Sequence, residues 1–130
     1  MVHSPYDIKL ANWWKSKQPV PEKTVVITFD DGFADFYREA LPLLQNYRYT
    51  ATLYVATGFV GGTSRWLGSC GEGDRPMLTW STLREIAALG IEIGANTHTH
   101  PELDRLAPQK VERESCFNPG PHWRMRLARL

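Results

Sequence analysis

Two short motifs of carboxylate and imidazole side chains carry the chemistry of this sequence. The first is Thr28-Phe29-Asp30-Asp31-Gly32, where an apolar run ends in two adjacent carboxylates and a glycine. The second is Asn96-Thr97-His98-Thr99-His100-Pro101, which follows the apolar run Ile91-Glu92-Ile93 and contains two imidazoles. The carboxyl ends of parallel strands meet at one edge of a sheet, where hydrolytic metal sites are usually built. Together, the two motifs therefore indicate a hydrolytic metal site.

The residue types divide the chemistry between metal binding and proton transfer. A divalent cation takes ligands from separate elements and keeps one position open for water. Asp31 and His100 can supply such ligands, and Asp30 can serve as the base that deprotonates the water. Adjacent carboxylates in one turn point in different directions, and Gly32 permits the tight turn that this requires. Taken alone, Asp30-Asp31-Gly32 is more often a solvated turn, and His98 and His100 could be exposed loop residues, so the prediction depends on the two motifs together.

The elements that must position the motifs follow from hydrophobic periodicity and turn residues. Apolar β-rich segments predict strands at 24–29, 50–56 and 91–95, and the first is expected to be covered on both faces. Helical spacing predicts helices at 34–47, 79–90 and 108–114. Pro42 predicts either a kink in the first helix or a short helix, and Thr79 and Gly90 are expected to cap the second. This order predicts an α/β fold with a parallel sheet and helical crossovers.

These residues resemble the polysaccharide deacetylases, the NodB-homology carbohydrate esterases. Thr28 to Gly32 matches the first family motif letter for letter, and His100-Pro101-Glu102-Leu103-Asp104 resembles the body of the second. The resemblance covers roughly Lys23 to Glu114. It implies a partial, distorted β/α barrel, here with about three parallel strands. It also implies hydrolysis of N-acetyl, sometimes O-acetyl, groups on amino-sugar polymers, commonly with zinc.

The resemblance also implies roles for individual residues. Asp30 would be the catalytic base, and Asp31 and His100 would be metal ligands. The other histidine of the family's His-x-x-x-His pair falls at Asn96, whose amide oxygen is a far poorer zinc ligand than imidazole. In an extended segment His98 would share a face with Asn96 and His100, so it is either a substitute ligand or a bystander. We therefore expect weak zinc binding.

Composition divides the chain into three parts. Residues 1–23 form a polar lead-in, 24–114 the N-terminal part of the deacetylase domain, and 115–130 a tail with a different character. The tail contains Pro119-Gly120-Pro121 and three unbalanced arginines, and it is expected to lie outside the fold. No match to the later family motifs is present, so the substrate-binding residues stay unassigned. An incomplete sheet would expose an edge through which the chain could associate with itself.

Three functions compete on this evidence. The leading one is a metal-dependent hydrolase that removes acetyl groups from an acetylated polysaccharide or oligosaccharide, impaired by truncation and by Asn96. The alternative is a catalytically inactive truncated remnant or a carbohydrate-binding fragment. An unrelated metallohydrolase could use His98 and His100 as a His-x-His pair, although such folds usually place the pair on their first strand. Trp66 and Trp80 could stack on sugars, but packing in the core is favoured.

The bulk composition limits the remaining possibilities. The 130 residues are 42% hydrophobic and 22% charged, which is typical of a soluble globular domain. A formal net charge of +1 gives no electrostatic reason to expect a nucleic-acid partner. No apolar run has the length of a membrane span, and Met1 to Lys17 lacks a signal-peptide core, so a cytoplasmic location is expected. Cys70 and Cys116 lack metal-ligand spacing and are expected to be ordinary thiols.

Overall fold

The computed structural model describes residues 15–17, 19, 22–115 and 126–127. These form a parallel sheet in the order β1-β2-β3-β4, with strands β1 (Thr28–Phe29), β2 (Thr52–Val55), β3 (Glu92–Ala95) and β4 (Arg126–Leu127). The α-helices are α1 (Leu41–Asn46), α2 (Trp80–Ala88) and α3 (Pro108–Ser115). A π-helix, Phe36–Ala40, precedes α1, and 3-10 turns cover Thr57–Phe59, Arg65–Cys70 and Leu103–Arg105. No helix in the described part of the chain has the length and apolarity needed to cross a membrane.

The register of the sheet places the ends of β1 and β3 at the same edge. Thr28 pairs with Thr52, and Thr52 pairs with Glu92 on the other side. All three strands run in parallel, so the chain leaves each of them in the same direction. The residues that follow β1 and β3 are those of the two motifs. The sheet therefore brings the motifs towards one another, as the strand order predicts.

β1 is shorter and more exposed than its apolar sequence predicts. Only Thr28 and Phe29 form the strand, although the carbonyl oxygen of Ile27 accepts a hydrogen bond of 3.0 Å from Thr52 N. Val25 is 71% exposed, so the expectation that this run is covered on both faces is wrong at that residue. In the described part of the sheet β1 is an edge strand with β2 as its neighbour. An edge position leaves part of the strand without covering groups.

The helix boundaries follow the predicted turn and cap residues. The sequence predicts a kink or a short helix at Pro42, and the structure has the π-helix followed directly by the six-residue helix α1, with Pro42 in its first turn. Proline has no N–H to donate to the preceding turn, and the hydrogen-bond pattern changes at this point. Thr79 caps α2 by accepting a hydrogen bond of 3.2 Å from Thr82 N. Gly90 follows α2 with a φ of +90°, a conformation that favours glycine.

The hydrophobic core includes side chains of β2, β3, the helical segment before and within α1, and α2. Its fully buried large aliphatic side chains are Leu53, Val55, Leu83 and Ile86. Each side chain of this size contributes about 2 kcal/mol through burial. Trp80 is partly buried and packs against this core, which is the placement that the sequence favoured. The core thus supports β2 and β3, and the second motif begins directly after β3.

Two residues of the tail form a strand that the sequence did not predict. Arg126–Leu127 pairs in parallel with Gly94 and Ala95 of β3. The tail was expected to lie outside the fold, and this pairing is a contact with the fold at these two residues. Strand pairing uses backbone N–H and C=O groups, which almost any sequence can offer, so residue types gave little signal. Most of the lead-in and of the tail, including Cys116, lies outside the described residues, and the proposed boundaries stay a prediction.

Candidate metal and catalytic site

The two motifs meet beyond the carboxyl ends of β1 and β3. Oδ1 of Asp31 lies 2.9 Å from Nε2 of His100. The amide nitrogen of Asn96 donates a hydrogen bond of 2.8 Å to the same Oδ1. The side chains of His100 and Asp31 are 34% and 20% exposed, so solvent reaches this group. The structure therefore brings these three predicted site residues to one point, and their roles as metal ligands stay a prediction.

The turn after β1 has the tight geometry that the sequence predicts. Asp31 has a φ of 71° and Gly32 a φ of +84°, both in the left-handed region. Ala56 N donates a hydrogen bond of 3.1 Å to Asp31 O, which ties the turn to the end of β2. A Cβ at Gly32 would lie 2.8 Å from Cγ1 of Val55, so only glycine fits there. These contacts fix the direction in which the Asp31 carboxylate points.

Residues 96–100, here called the histidine loop, do not form an extended segment. Thr97 and His100 have φ values of 59° and 55°, which are uncommon for side chains with a Cβ. His100 N donates a hydrogen bond of 3.1 Å to Oγ1 of Thr97 and closes the loop on itself. Two left-handed residues break the alternation of side chains that an extended segment would show. The assumption that His98 shares a face with Asn96 and His100 is therefore wrong.

His98 contacts a different part of the molecule from Asp31 and His100. Its Nδ1 lies 3.0 Å from Oγ1 of Thr57, a buried residue just after β2. The carbonyl oxygen of His98 accepts a hydrogen bond of 2.8 Å from Gly58 N. These contacts join the histidine loop to the start of the 3-10 turn after β2. A role for His98 as substitute ligand stays an untested prediction.

Glu114 of α3 holds the histidine loop from the other side. Its Oε2 accepts hydrogen bonds from the backbone nitrogens of His98 at 3.0 Å and Thr99 at 2.7 Å. Its Oε1 accepts a hydrogen bond of 2.7 Å from the Thr99 hydroxyl. Burial raises the pKa of the Glu114 carboxyl, but the hydrogen bonds from Thr99 and His98 lower it by more, so the net pKa lies below the usual value of a glutamate. No signal in the sequence predicts this role, because no motif marks a carboxylate that binds backbone groups.

Trp66 stacks against the ring of His100. The two ring centroids lie 5.2 Å apart with an interplanar angle of 30°. Trp66 also packs against Phe59 at 4.5 Å and Phe33 at 5.9 Å between centroids. Sugar stacking and packing were both open for Trp66 from the sequence, and the structure shows packing against these three rings. The tryptophan therefore limits the orientations that the His100 imidazole can adopt.

Asp30 is exposed and borders a cavity of about 260 Å³. The walls are mainly apolar and include Phe29, Phe33, Phe36 and Leu53. The Asp31 carboxylate instead contacts His100. The two adjacent carboxylates therefore point in different directions, as expected for residues of one turn. An exposed carboxylate beside a cavity is accessible to a bound molecule. The role of Asp30 as a base stays a prediction.

Asp31 and His100 offer two strong ligands for a divalent cation, and Asn96 offers one weak ligand. The 2.9 Å between Asp31 Oδ1 and His100 Nε2 is a hydrogen-bond distance. Two ligands of a tetrahedral zinc ion, each at about 2.1 Å from it, lie about 3.4 Å apart, so these side chains would have to separate slightly to hold an ion between them. Asn96 now presents its amide nitrogen, and a cation would require its oxygen instead. Among the described residues no group of three His, Cys, Asp or Glu side chains surrounds one point.

A parallel sheet that gathers carboxylate and imidazole groups at one edge is typical of hydrolytic α/β enzymes. The chain belongs to the polysaccharide deacetylase family, whose model matches residues 17–118. It is 35% identical over 100 residues to YxkH of Bacillus subtilis, whose name assigns it provisionally to the polysaccharide deacetylases. That match covers 77% of this chain and 31% of YxkH. The family resemblance read from the two motifs is thereby confirmed.

A second relative is named for a defined polymer. The chain is 36% identical over 73 residues to the poly-β-1,6-N-acetyl-D-glucosamine N-deacetylase of Escherichia coli K12. This match covers 54% of this chain and 11% of the relative. The chain therefore spans less than a third of the length of both curated relatives.

Solved structures of deacetylases share the fold. The chain matches the Streptococcus pyogenes deacetylase PplD, solved in complex with acetate, with a TM-score of 0.65 and 29% identity, over 85% of this chain and 44% of PplD. It matches IcaB from Ammonifex degensii with a TM-score of 0.54 and 29% identity, over 73% of this chain and 36% of IcaB. The α/β fold predicted from the strand order is confirmed, and the described sheet is open.

Proposed function

We propose that this chain contributes the metal-binding and base residues of a carbohydrate deacetylase that acts on amino-sugar polymers. The observation that carries the proposal is the 2.9 Å contact between Asp31 and His100 at the ends of β1 and β3. Family membership supports the reaction class. The name of the Escherichia coli relative supports an N-acetylated polysaccharide or oligosaccharide as the substrate.

The proposed mechanism assigns a separate task to each side chain. A zinc ion held by Asp31, His100 and the amide oxygen of Asn96 would supply Lewis acidity towards water and the acetyl carbonyl. Asp30, the exposed neighbour of Asp31 in the turn after β1, accepts the proton of the attacking water. The water oxygen bonds to the acetyl carbon, the carbon–nitrogen bond breaks, and the proton is returned to the departing amine. Trp66 keeps the His100 ring oriented throughout.

Acetate release from N-acetylglucosamine oligomers tests this proposal. We expect slow zinc-dependent release by the wild-type chain, and a loss of about 100-fold or more in Asp30→Asn, because a positioned base contributes at least that factor. Glu112→Gln provides the control, since Glu112 is exposed on α3 and changing it removes the same charge. Equal rates in Asp30→Asn and the wild type would exclude Asp30 as the base.

One contact favours a second function, an inactive domain that at most binds glycans. The hydrogen bond from Asn96 to Asp31 satisfies the carboxylate with a neutral donor and needs no cation. A histidine at position 96 would instead add a strong metal ligand. Glycan binding measured by calorimetry, without acetate release in the presence of excess zinc, would support this second function over the first.

A further inference from the structure

We propose that Glu114 is a positioning residue of the site, which holds the histidine loop in the conformation that directs His100 at Asp31. This inference rests on the proposed function for its relevance to metal binding. The contact itself is independent of any metal, because it joins a helix side chain to the backbone of the loop. Glu114 touches neither Asp31 nor His100 in the described hydrogen bonds, so its effect must pass through the loop.

The carboxylate of Glu114 uses both oxygens on two adjacent loop residues. Oε2 accepts from the backbone nitrogens of His98 and Thr99 at 3.0 and 2.7 Å. Oε1 accepts from the Thr99 hydroxyl at 2.7 Å. Hydrogen bonds to an ionised carboxylate are about twice as strong as neutral ones. Three such bonds fix the position of His98 and Thr99 relative to α3, through two successive backbone N–H groups and one hydroxyl.

The backbone of the loop needs this support because it is strained. Thr97 and His100 are both left-handed, and Thr97 is β-branched. The left-handed backbone is unfavourable for any residue that carries a Cβ. Thr57 and Gly58 hold the loop on the β2 side, while Glu114 holds it on the α3 side. Removal of either support allows the loop to relax to an ordinary conformation, in which His100 no longer faces Asp31.

Three substitutions separate geometry from charge at this position. Glu114→Ala removes every acceptor. Glu114→Asp keeps the charge but is one methylene shorter, so its carboxylate cannot reach both backbone nitrogens from α3. Glu114→Gln loses the charge but keeps the reach, because its oxygen can accept from the two nitrogens while its amide donates to the Thr99 hydroxyl. A positioning role therefore predicts that glutamine preserves function better than aspartate, and a purely electrostatic role predicts the reverse.

The test measures zinc affinity by competition with a chelator, and backbone amide hydrogen exchange in the histidine loop without metal. We expect Glu114→Ala and Glu114→Asp to bind zinc about tenfold more weakly, the lower end of the loss seen when ligand-orienting groups are removed. Exchange at His98 and Thr99 should accelerate in the same two variants. Glu114→Gln should stay within about threefold of the wild type. Glu112→Ala, an exposed glutamate of the same helix, should match the wild type in both measurements.

The outcomes distinguish this inference from the proposed function. Unchanged exchange at His98 and Thr99 in Glu114→Asp would overturn the positioning role, even if Glu114→Ala did not fold. A higher zinc affinity in Glu114→Asp than in Glu114→Gln would also overturn the positioning role. If the wild type binds no zinc, or if His100→Ala binds zinc as well as the wild type, the proposed metal site fails. The metal-free exchange data would then still decide whether Glu114 positions the loop.

Discussion

Asn96 is the residue that limits how strongly the site can hold a cation. Its amide faces Asp31 where the family pattern has a histidine. We expect Asn96→His to raise zinc affinity by at least about tenfold, because imidazole replaces a neutral amide as a ligand. A chelator competition assay measures this, with Asn96→Ala as the control that should bring no gain. Tight zinc binding by the wild type, unchanged in Asn96→His, would instead implicate His98.

Glu114 should make stability depend on pH in a defined direction. Its pKa in the folded chain lies below the usual value of a glutamate, since the hydrogen bonds from Thr99 and His98 outweigh the opposite effect of burial. A carboxyl group with a lowered folded-state pKa stabilises the fold above its unfolded pKa, and this stabilisation disappears as pH falls through the folded value. The difference in unfolding free energy between wild type and Glu114→Gln should therefore be largest near neutral pH and shrink in acid.

Urea unfolding at a series of pH values measures this difference. Glu112→Gln, which removes an exposed carboxylate from the same helix, should show a smaller difference at every pH. A Glu114→Gln difference that stays constant from neutral pH into acid would show that the ionised carboxylate does not stabilise the loop.

At the scale of elements, the turn after β2 must approach the histidine loop closely. A Cβ at Gly58 would lie 2.7 Å from the carbonyl oxygen of His98, a backbone atom that cannot move without the loop. We expect Gly58→Ala to destabilise the fold by about 1–3 kcal/mol through overpacking. Gly68→Ala in the next 3-10 turn is the matched control, since nothing lies within 4 Å of its added Cβ. Equal unfolding midpoints for the two variants in urea would show that the loop tolerates displacement.

The elements that carry the motifs could be predicted from the sequence, but their detailed geometry could not. Apolar runs and turn residues predicted β2, β3 and α2. The carboxylate and imidazole side chains that follow the predicted strands indicated Asp31 and His100 as candidate site residues. The left-handed backbone at Thr97 has no local signal, because threonine rarely adopts it and tertiary contacts impose it. Glu114 joins the site through a contact between elements distant in sequence, and β4 pairs through backbone groups. Neither depends on a periodic pattern.

At the scale of the whole molecule, the sheet is open at β1 in the described part of the chain. Unpaired backbone groups on an edge strand can pair with another copy, and Val25, just before β1, is 71% exposed. We expect the chain to associate with itself as concentration rises, and Val25→Lys to weaken association, because charges beside an edge oppose strand pairing.

Light scattering coupled to size-exclusion chromatography measures this association at several loading concentrations. Glu112→Lys introduces a lysine on the exposed face of α3 and should leave association close to that of the wild type. A wild-type chain that elutes as a monomer at every concentration would contradict the expectation.

The hydrogen bond between Asn96 and Asp31 joins residues separated by 65 positions along the chain. It can form only after β1, β2 and β3 have found their register, and closing so long a segment loses entropy before any contact compensates. We therefore expect the site to be completed late in folding, after local helices have formed. A ligand that recognises only the finished site would slow unfolding and leave the rate of refolding nearly unchanged. Chemistry at this edge thus begins only when the rest of the described fold is already in place.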